Sequence, residues 1–187
     1  VAKGLINLKI HIENIREHFG LPVVVAINKF QTDTENELDL VRKETRKFGA
    51  YDSCIANHWE LGGEGAIELS RSIIDACENA ENHFRFVYDD SDSIEMKIEK
   101  IAKKIYRAEQ VEYSEQARKR LQLYKRLGYD RLKICIAKTP LSISHDPSKK
   151  GAPSGYKFPI KDIRASVGAG FLYPLAGEVY LFIQQVH

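Results

Sequence analysis

The residues with the clearest chemical potential follow an apolar run near the start of the chain. Residues 22–34 read PVVVAINKFQTDT, so that β-branched side chains give way abruptly to polar and aromatic ones. A run of this kind predicts a strand that is buried on both faces of a parallel sheet. Open α/β sheets bind their ligands beyond the carboxyl ends of such strands. Phe30, Thr32 and Asp33 are therefore candidate binding residues.

A second aromatic residue, Trp59, follows a weaker strand predicted over residues 50–57 and lies in a glycine-rich loop, HWELGGEG. The strand-to-loop junctions at residues 28–34, 57–65 and 137–146 are expected to lie along the same edge of one sheet. Aromatic side chains from two of these loops would then flank one crevice. The spacing therefore predicts a shared binding site at this edge.

Two interpretations of this edge remain open from the sequence. In the first, Phe30 and Trp59 sandwich a flat ring, while Thr32 and Asp33 accept hydrogen bonds from the N–H groups at the edge of that ring. In the second, Trp59 belongs to the core, Phe30 packs against the following helix, and Asp33 caps that helix. Spacing alone does not decide between a binding site and a structural role.

Several other kinds of site are disfavoured by the residues present. Asn28 and Lys29 are similar to the base-reading Asn-Lys-x-Asp of GTP-binding proteins, but Gln31 stands where that motif needs Asp. The chain contains no Gly-x-x-x-x-Gly-Lys-Ser/Thr sequence that would cradle a triphosphate. His58 and His145 have no second His or Cys at metal-ligand spacing. The sequence thus indicates neither a guanine site nor a metal site.

Composition is that of an ordinary soluble domain, with 187 residues, 43% hydrophobic residues and a formal net charge of +2. This balance gives no electrostatic case for a nucleic-acid or membrane partner. Cys54, Cys77 and Cys135 lie in apolar runs at no disulfide or zinc spacing, so buried reduced thiols and a cytoplasmic location are expected. The first residue is Val1 rather than Met, which indicates a piece of a longer protein.

Hydrophobic periodicity predicts alternating helices and strands over the first half of the chain. A helix over residues 5–19 should end at Gly20, and Thr34 with Glu37 should form a capping box for the next helix. A short strand is predicted over residues 84–88. A third helix is expected between these elements, with an inward face formed by Ile67, Leu69, Ile73, Ile74 and Cys77.

The second half begins with a predicted pair of amphipathic helices, over residues 90–107 and from Ser114 to Gly128, joined by a turn. Basic residues on the second helix are interpreted as a solvated face rather than a nucleic-acid surface. A strand over residues 132–136, a loop, an edge strand around residues 158–164 and one or two closing strands over residues 171–182 should follow.

These elements predict an α/β fold with a mainly parallel, doubly wound sheet of the Rossmann-like or P-loop NTPase-like kind. We divide the chain into an α/β pocket region over residues 1–88, a flanking helical pair over residues 89–131 and a small β-rich C-terminal region over residues 132–187.

Four separated segments resemble formate–tetrahydrofolate ligase, also called formyltetrahydrofolate synthetase: VVVAINKFQTDTENEL, HWELGGEGAIELS, ICIAKTPLSISHDPSKKGAPSGY and DIRASVGAGFLYPLAGE. The resemblance extends over nearly the whole chain. The segments KTPLSISHDP and DIRASVGAGFLYPL resemble the eukaryotic form more closely than most bacterial ones. In the eukaryotic form the ligase is the C-terminal part of a larger trifunctional or mitochondrial folate enzyme. A mitochondrial location is compatible with such a parent protein.

The resemblance implies ATP-dependent ligation of formate to tetrahydrofolate through formyl phosphate, as part of one-carbon metabolism. It implies ATP with Mg2+ and tetrahydrofolate as substrates, no bound metal or prosthetic group in this chain, and a dimeric or tetrameric parent protein. The family's P-loop and catalytic residues belong to an N-terminal part that is missing here. We therefore expect no catalytic residue in this chain and no turnover by it alone.

The resemblance assigns seven residues to the pocket for the folate and adenine rings: Phe30, Gln31, Thr32, Asp33, Trp59, Gly62 and Gly63. Phe30 and Trp59 would stack on the ring system, and Thr32 and Asp33 would meet its polar edge. Gln31 stands where bacterial relatives commonly have Pro.

Gly62 and Gly63 would let the Trp59 loop approach the ligand closely.

After GAGFLYPLAGE, residues 178–187 depart from the family's usual Met-Pro-Gly-rich continuation. Two alternatives to a ligase piece remain: a folate- or nucleotide-binding module that does not catalyse, and an interaction domain that uses the helical pair over residues 94–127 as an oligomer surface.

Overall fold

The computed structural model describes residues 1–177, which fall into two compact units. The first unit comprises residues Val1–Phe86, and the second begins at Val87. The helices and strands of the first unit are α1 (Leu5–Glu13), β1 (Val24–Asn28), α2 (Glu35–Lys47), β2 (Asp52–Ala56), α3 (His58–Leu61) and α4 (Ile67–Asn79). A 3-10 turn over Ala2–Gly4 precedes α1, π-helical residues Asn14–His18 extend it, and Gly62–Ala66 form another 3-10 helix.

The first unit is built around a parallel pair of strands. β1 and β2 pair from Val24 opposite Asp52 to Asn28 opposite Ala56, and α2 forms the connection between them. The capping box at the start of α2 is confirmed, because Thr34 Oγ1 accepts from the Glu37 N–H and the Glu37 carboxylate accepts from the Thr34 N–H. Local side-chain chemistry thus determines where the loop after β1 ends and the helix begins.

Several predictions for the first unit are wrong. β1 is not buried on both faces, because Ala26 is exposed and Val24 and Val25 are only half-buried. Residues 84–88 form no strand, since the N–H groups of His83 and Arg85 instead bond to the carbonyls of Gly20 and Phe19 at the end of the first helix.

The third error concerns α4, whose predicted inward face is largely exposed. Ile67, Ile73 and Ile74 are 45%, 46% and 56% exposed, whereas Ser72 and Ala76 are the buried residues of this helix. Small side chains let a helix approach a sheet closely, and the large aliphatic ones then lie on the outer side.

The second unit contains α5 (Ile94–Lys104), β3 (Gln110–Tyr113), α6 (Glu115–Arg126), β4 (Lys133–Ile134), β5 (Lys157–Ser166) and β6 (Phe171–Ala176). The predicted helical pair is confirmed, and the hydroxyls of Ser93 and Ser114 cap α5 and α6. The predicted turn between these helices is in fact strand β3.

The four strands of the second unit form one sheet in the order β3-β5-β6-β4. β3 pairs parallel with β5 and β4 pairs parallel with β6, whereas β5 and β6 are antiparallel. β5 was predicted as an edge strand but lies inside the sheet, since β3 and β6 pair with its two sides. Its buried side chains join α5 and α6 in one continuous core with Phe158, Ile160 and Ile163 at its centre.

The α/β class with parallel strands and flanking helices is therefore confirmed, while the described strands belong to two sheets. Of the three cysteines expected to be buried, only Cys54 is; Cys77 and Cys135 are exposed. The predicted closing strand over residues 171–182 is confirmed for Phe171–Ala176. Its remainder and the divergent tail over residues 178–187 lie outside the described residues.

Candidate functional site

The carboxyl ends of β1 and β2 lie at one edge of the first unit, as the sequence predicts. The two strands are parallel and end together, with Asn28 opposite Ala56. The pairing continues one residue further, because the Lys29 N–H donates to the Ala56 carbonyl over 3.1 Å. The loop that carries Phe30 and the helical turn that carries Trp59 therefore begin side by side.

Trp59 is fixed at this edge by its indole group. The indole Nε1–H donates to the backbone carbonyl of Lys29 over 2.9 Å, which joins α3 to the residue directly before Phe30. Trp59 remains 51% exposed and Phe30 58% exposed. Because both rings are half open to solvent, the interpretation of Trp59 as a core residue is wrong.

The loop between β1 and α2 is shaped by Asp33. Its Oδ2 accepts from the Phe30 N–H over 2.8 Å, and its own N–H donates to the Phe30 carbonyl over 3.1 Å. A carboxylate has acceptor capacity for more than one hydrogen bond, so Asp33 retains an oxygen for a further donor. Gln31 and Thr32 lie exposed at the tip of this turn. Asp33 thus supports the backbone of Phe30 instead of capping α2, a role that belongs to Thr34.

The charge next to this loop is balanced locally. Lys29 Nζ lies 3.0 Å from Glu35 Oε1, so the lysine that follows β1 is paired with the first residue of α2. Both side chains are partly exposed, and the contribution of such a pair to stability is small. The pair does constrain the base of the loop that carries Phe30.

The predicted glycine-rich loop after β2 is instead the short helix α3 followed by a 3-10 helix. Gly62 has φ +59° and ψ −137°, a conformation that only glycine adopts readily. A Cβ atom on Gly63 would meet no atom within 4 Å, so this position faces open space. Both glycines lie close in sequence to Trp59, and their assignment to the ring pocket stays a prediction.

Sequence reasoning missed Gly65 and Asn57, which close this turn. The Asn57 N–H donates to the Gly65 carbonyl over 3.0 Å, and a Cβ on Gly65 would lie 2.2 Å from the Asn57 carbonyl oxygen. Asn57 Nδ2 donates to Glu60 Oε2 over 2.8 Å. The Gly-x-Gly spacing was visible in the sequence, but its close approach to Asn57 depends on the folded backbone.

The third loop of the prediction, residues 137–146, follows β4 in the sheet of the second unit, so the expectation that all three junctions lie along the edge of one sheet is wrong. This loop has its own hydrogen-bond network. Lys138 Nζ donates to the carbonyls of Thr139 and Ser142, and the Ser142 and Ser144 hydroxyls lie 2.9 Å apart. Burial lowers the pKa of Lys138 and is also the main cause of the lowered pKa of His145. Participation of the loop over residues 137–146 in the ring pocket stays a prediction.

Within residues 1–177 there is no group of three or more His, Cys, Asp or Glu side chains arranged to hold a metal ion. No helix in the same residues combines the length and apolar character needed to cross a membrane.

Comparison with known proteins places these features in a family. The family model described as formate–tetrahydrofolate ligase matches residues 1–182. Over 179 residues, or 96% of its length, the chain is 51% identical to the cytoplasmic C-1-tetrahydrofolate synthase of Schizosaccharomyces pombe. Over the same share it is 49% identical to the mitochondrial C-1-tetrahydrofolate synthase of Saccharomyces cerevisiae. It is 50% identical to the formate–tetrahydrofolate ligase of Desulforamulus reducens over the same share.

The chain corresponds to only part of each relative. It spans 19% of the Schizosaccharomyces pombe protein, 18% of the Saccharomyces cerevisiae protein and 31% of the Desulforamulus reducens ligase. The match nevertheless covers nearly all of the chain, including the segments that carry Phe30 and Trp59. The chain therefore belongs to the formate–tetrahydrofolate ligase family.

Proposed function

We propose that the protein to which this chain belongs joins formate to tetrahydrofolate with consumption of ATP, forming formyltetrahydrofolate through formyl phosphate. The family match and the names of the relatives support this activity. The chain spans about a fifth of the first of these relatives, so the activity is proposed for the intact protein. ATP with Mg2+, formate and tetrahydrofolate are its substrates in this proposal.

Within that protein, this chain supplies the pocket for a flat ring. The observation that carries the assignment is the hydrogen bond from the Trp59 indole to the Lys29 carbonyl, which holds one half-exposed ring beside the loop of the other. Phe30 and Trp59 stack on the pterin or adenine ring, an interaction of about 0.5–1.5 kcal/mol beyond burial. Their geometry favours a ligand that is planar and enters from solvent.

The polar residues of the loop orient the ring within this pocket. Asp33 has one oxygen bound to the Phe30 N–H and accepts from ring N–H groups with its remaining capacity. Thr32 and Gln31 lie at the exposed tip and contact the edge of the ring. Gly62 and Gly63 leave room beside Trp59 for the ligand to approach the backbone, since no atom lies within 4 Å of a Cβ placed at either.

The remaining chemistry belongs to other parts of the polypeptide. Phosphoryl transfer depends on a cradle for the phosphates and on a metal ion that neutralises their charge. The 187 residues contain no P-loop sequence, so we assign the ATP phosphates and Mg2+ to other segments and expect no turnover by this chain alone. We further propose that β1, α2 and β2 belong to a larger doubly wound sheet in the intact protein, and that the intact protein is a homo-oligomer.

Trp59 makes the test direct, because it is the only tryptophan of the 187 residues. Tetrahydrofolate should change its fluorescence, and ADP tested separately would show whether an adenine ring enters the same pocket. Calorimetry should find that Phe30→Ala weakens tetrahydrofolate binding by about 3- to 10-fold, the loss of one stacking partner. Phe86→Ala is the matched control, since this Phe is 72% exposed and lies outside the site.

Equal loss of affinity in the two Phe variants, or an unperturbed Trp59, would refute the pocket. Activity is measured separately, as formate- and tetrahydrofolate-dependent ADP release. ADP release by the chain alone would contradict the assignment of the ATP phosphates and Mg2+ to other segments of the protein. Ring binding by the chain without any ADP release from the intact protein would instead identify a non-catalytic binding module.

A further inference from the structure

In helix α4 the large aliphatic side chains lie on the side that faces away from the sheet. A helix that packs only on its own sheet would be expected to bury them. Ser72 and Ala76 are its buried residues. Ile67, Ile73 and Ile74 are about half exposed, and Cys77 is exposed. We call these four residues the α4 ridge.

The α4 ridge occupies one flank of the outer surface of the helix. Ile67 and Ile74 are seven residues apart and Ile73 and Cys77 four apart, so each pair lies on nearly the same side of an α-helix. The other flank carries the charged residues Glu68, Arg71, Asp75 and Glu78.

Two of these charged residues already have partners within the first unit. Glu68 accepts from Arg42 over 2.5 Å, and Asp75 accepts from the Tyr51 hydroxyl over 2.6 Å. The charged flank is therefore suited to face solvent. The apolar flank includes one polar residue, Ser70, whose hydroxyl donates to the Ala66 carbonyl, while its isoleucines remain exposed. Exposed apolar side chains grouped in this way mark interaction sites.

The size of the ridge indicates the kind of partner. Stable association of two separate chains buries on the order of 1,200 Å2 or more, far beyond four half-exposed side chains. A segment of the same polypeptide needs much less area, because covalent linkage gives it a high effective concentration. Such a segment exists in the family, since this chain spans only 31% of the Desulforamulus reducens protein, which is named as the ligase alone.

We propose that the α4 ridge is the seat of an amphipathic helix from the part of the ligase polypeptide that lies outside the matched stretch. Residues spaced by three, four and seven positions form the ridges that interdigitate between packed helices. The partner helix presents aliphatic side chains to Ile67, Ile73 and Ile74. Its edge toward Arg71 and Glu78 is polar.

The test compares the chain with an intact relative. In the 187-residue chain, the pair Ile67→Lys and Ile74→Lys should leave the Tm within about 1 °C, because exposed positions tolerate charge. In the intact Desulforamulus reducens ligase, lysines at the two aligned positions should lower the Tm by about 5 °C or more, since they bury unpaired charges. Asp39→Lys and its aligned counterpart form the matched control, because Asp39 is exposed and lies on a different helix, and they should change neither Tm by more than about 1 °C.

Each other outcome overturns the proposal. An unchanged Tm in the intact ligase would mean that the aligned face is open there. A large loss of Tm in the 187-residue chain would mean that the ridge is covered within it. Dissociation of a dimer of the chain by the lysine pair, seen in sedimentation, would identify a second copy as the partner.

Thiol labelling provides a readout if the substituted ligase fails to fold. Cys77 of the chain, in a Cys135→Ser background that leaves Cys54 buried, should react readily with a maleimide. A cysteine placed at the aligned position of the intact ligase should react at least 10-fold more slowly. Equal labelling rates in the two proteins would rule the buried seat out.

Discussion

The two units of the chain treat their apolar residues in opposite ways. In the second unit, buried residues from two helices and two strands meet in one continuous core, in which Phe158, Ile98 and Leu172 are fully buried. In the first unit the buried hydrophobic cluster around Ile12, Val23 and Ala50 is small. Most of the exposed large hydrophobic residues among residues 1–177 belong to the first unit, Trp59 and Ile74 among them.

The exposed apolar residues of the first unit are of two kinds. Trp59 is exposed but fixed by a polar contact, because its indole N–H bonds to the Lys29 carbonyl. In the proposed function, the exposed part of this ring binds the ligand. Ile67 and Ile74 have no polar group to orient them and form a ridge along a helix. Orientation by a hydrogen bond thus distinguishes Trp59, which we propose as a ligand contact, from the isoleucines, which we propose as a packing surface.

Truncation of one aromatic residue in each unit should give the largest difference in stability between the two units. Phe158 is completely buried and stacks on Tyr106 with ring centroids 5.4 Å apart. Phe158→Ala should therefore lower the free energy of unfolding by about 3–5 kcal/mol, through lost burial and the cavity left behind. Phe86→Ala should change it by less than about 1.5 kcal/mol, because this exposed ring loses an edge-to-face contact with Phe84 but little burial. Urea unfolding of both variants checks this, and similar losses would erase the distinction between the units.

A buried lysine tests how completely the second unit satisfies its own polar groups. Lys97 is fully buried, and its Nζ donates to the Asp130 carbonyl over 2.6 Å and the Leu132 carbonyl over 3.4 Å. Burial lowers the pKa of Lys97. Lys97→Met should cost about 1–3 kcal/mol of unfolding free energy, because it leaves two carbonyls without this donor.

The matched control for this substitution is Lys103→Met on the exposed side of α5, which should be nearly neutral. Chemical denaturation of both variants gives the comparison. Greater stability of Lys97→Met would show that the cost of burying the cation exceeds the value of its hydrogen bonds.

The first unit has its own partly buried polar centre at Asp52, at the start of β2. Burial by itself would raise the pKa of this carboxyl, but hydrogen bonds from Arg46, the Ser53 N–H and Ser72 outweigh it and lower the pKa from 3.8 to about 2. A carboxylate with a depressed pKa stabilises the fold above its unfolded pKa, and this contribution is lost as the pH falls toward the folded value.

We therefore expect Asp52→Asn to lower the free energy of unfolding near neutral pH by up to about 2 kcal/mol. The difference from the wild type should shrink as the pH falls from about 4 to about 2. Urea unfolding at a series of pH values measures this difference. A gap that stays constant down to pH 2 would show that Asp52 contributes through packing instead of charge.

Features that depend on neighbours in sequence could be predicted, and features that depend on distant pairing could not. The capping box at Thr34 and the helix starting after Ser114 follow from local side-chain chemistry. β5 alternates like an edge strand, yet it lies inside its sheet because residues interpreted as a turn form β3 beside it. Periodicity likewise predicts that α4 is amphipathic, but it cannot show that Ser72 and Ala76, rather than the isoleucines, face the sheet.

The same limit applies to the candidate site. That Phe30 and Trp59 reach one edge follows from the rule for the ends of parallel strands. The bonds that hold them, from Trp59 to the Lys29 carbonyl and from the Phe30 N–H to Asp33, depend on loop geometry that no spacing reveals. Sequence therefore identified the ring pair but not its supports.

The smallest effect compares two helix caps, one in each unit. Thr34→Ala removes the hydroxyl that accepts from the Glu37 N–H, and Ser114→Ala removes the one that accepts from the Ala117 N–H. Each should cost about 1 kcal/mol of unfolding free energy. Only Thr34→Ala should also weaken tetrahydrofolate binding, by about 2-fold, because Thr34 ends the loop that carries Phe30. Calorimetry on both variants separates the effects: equal weakening by Ser114→Ala would mean that affinity follows global stability, whereas an effect confined to Thr34→Ala ties the ring pocket to the edge of the first unit.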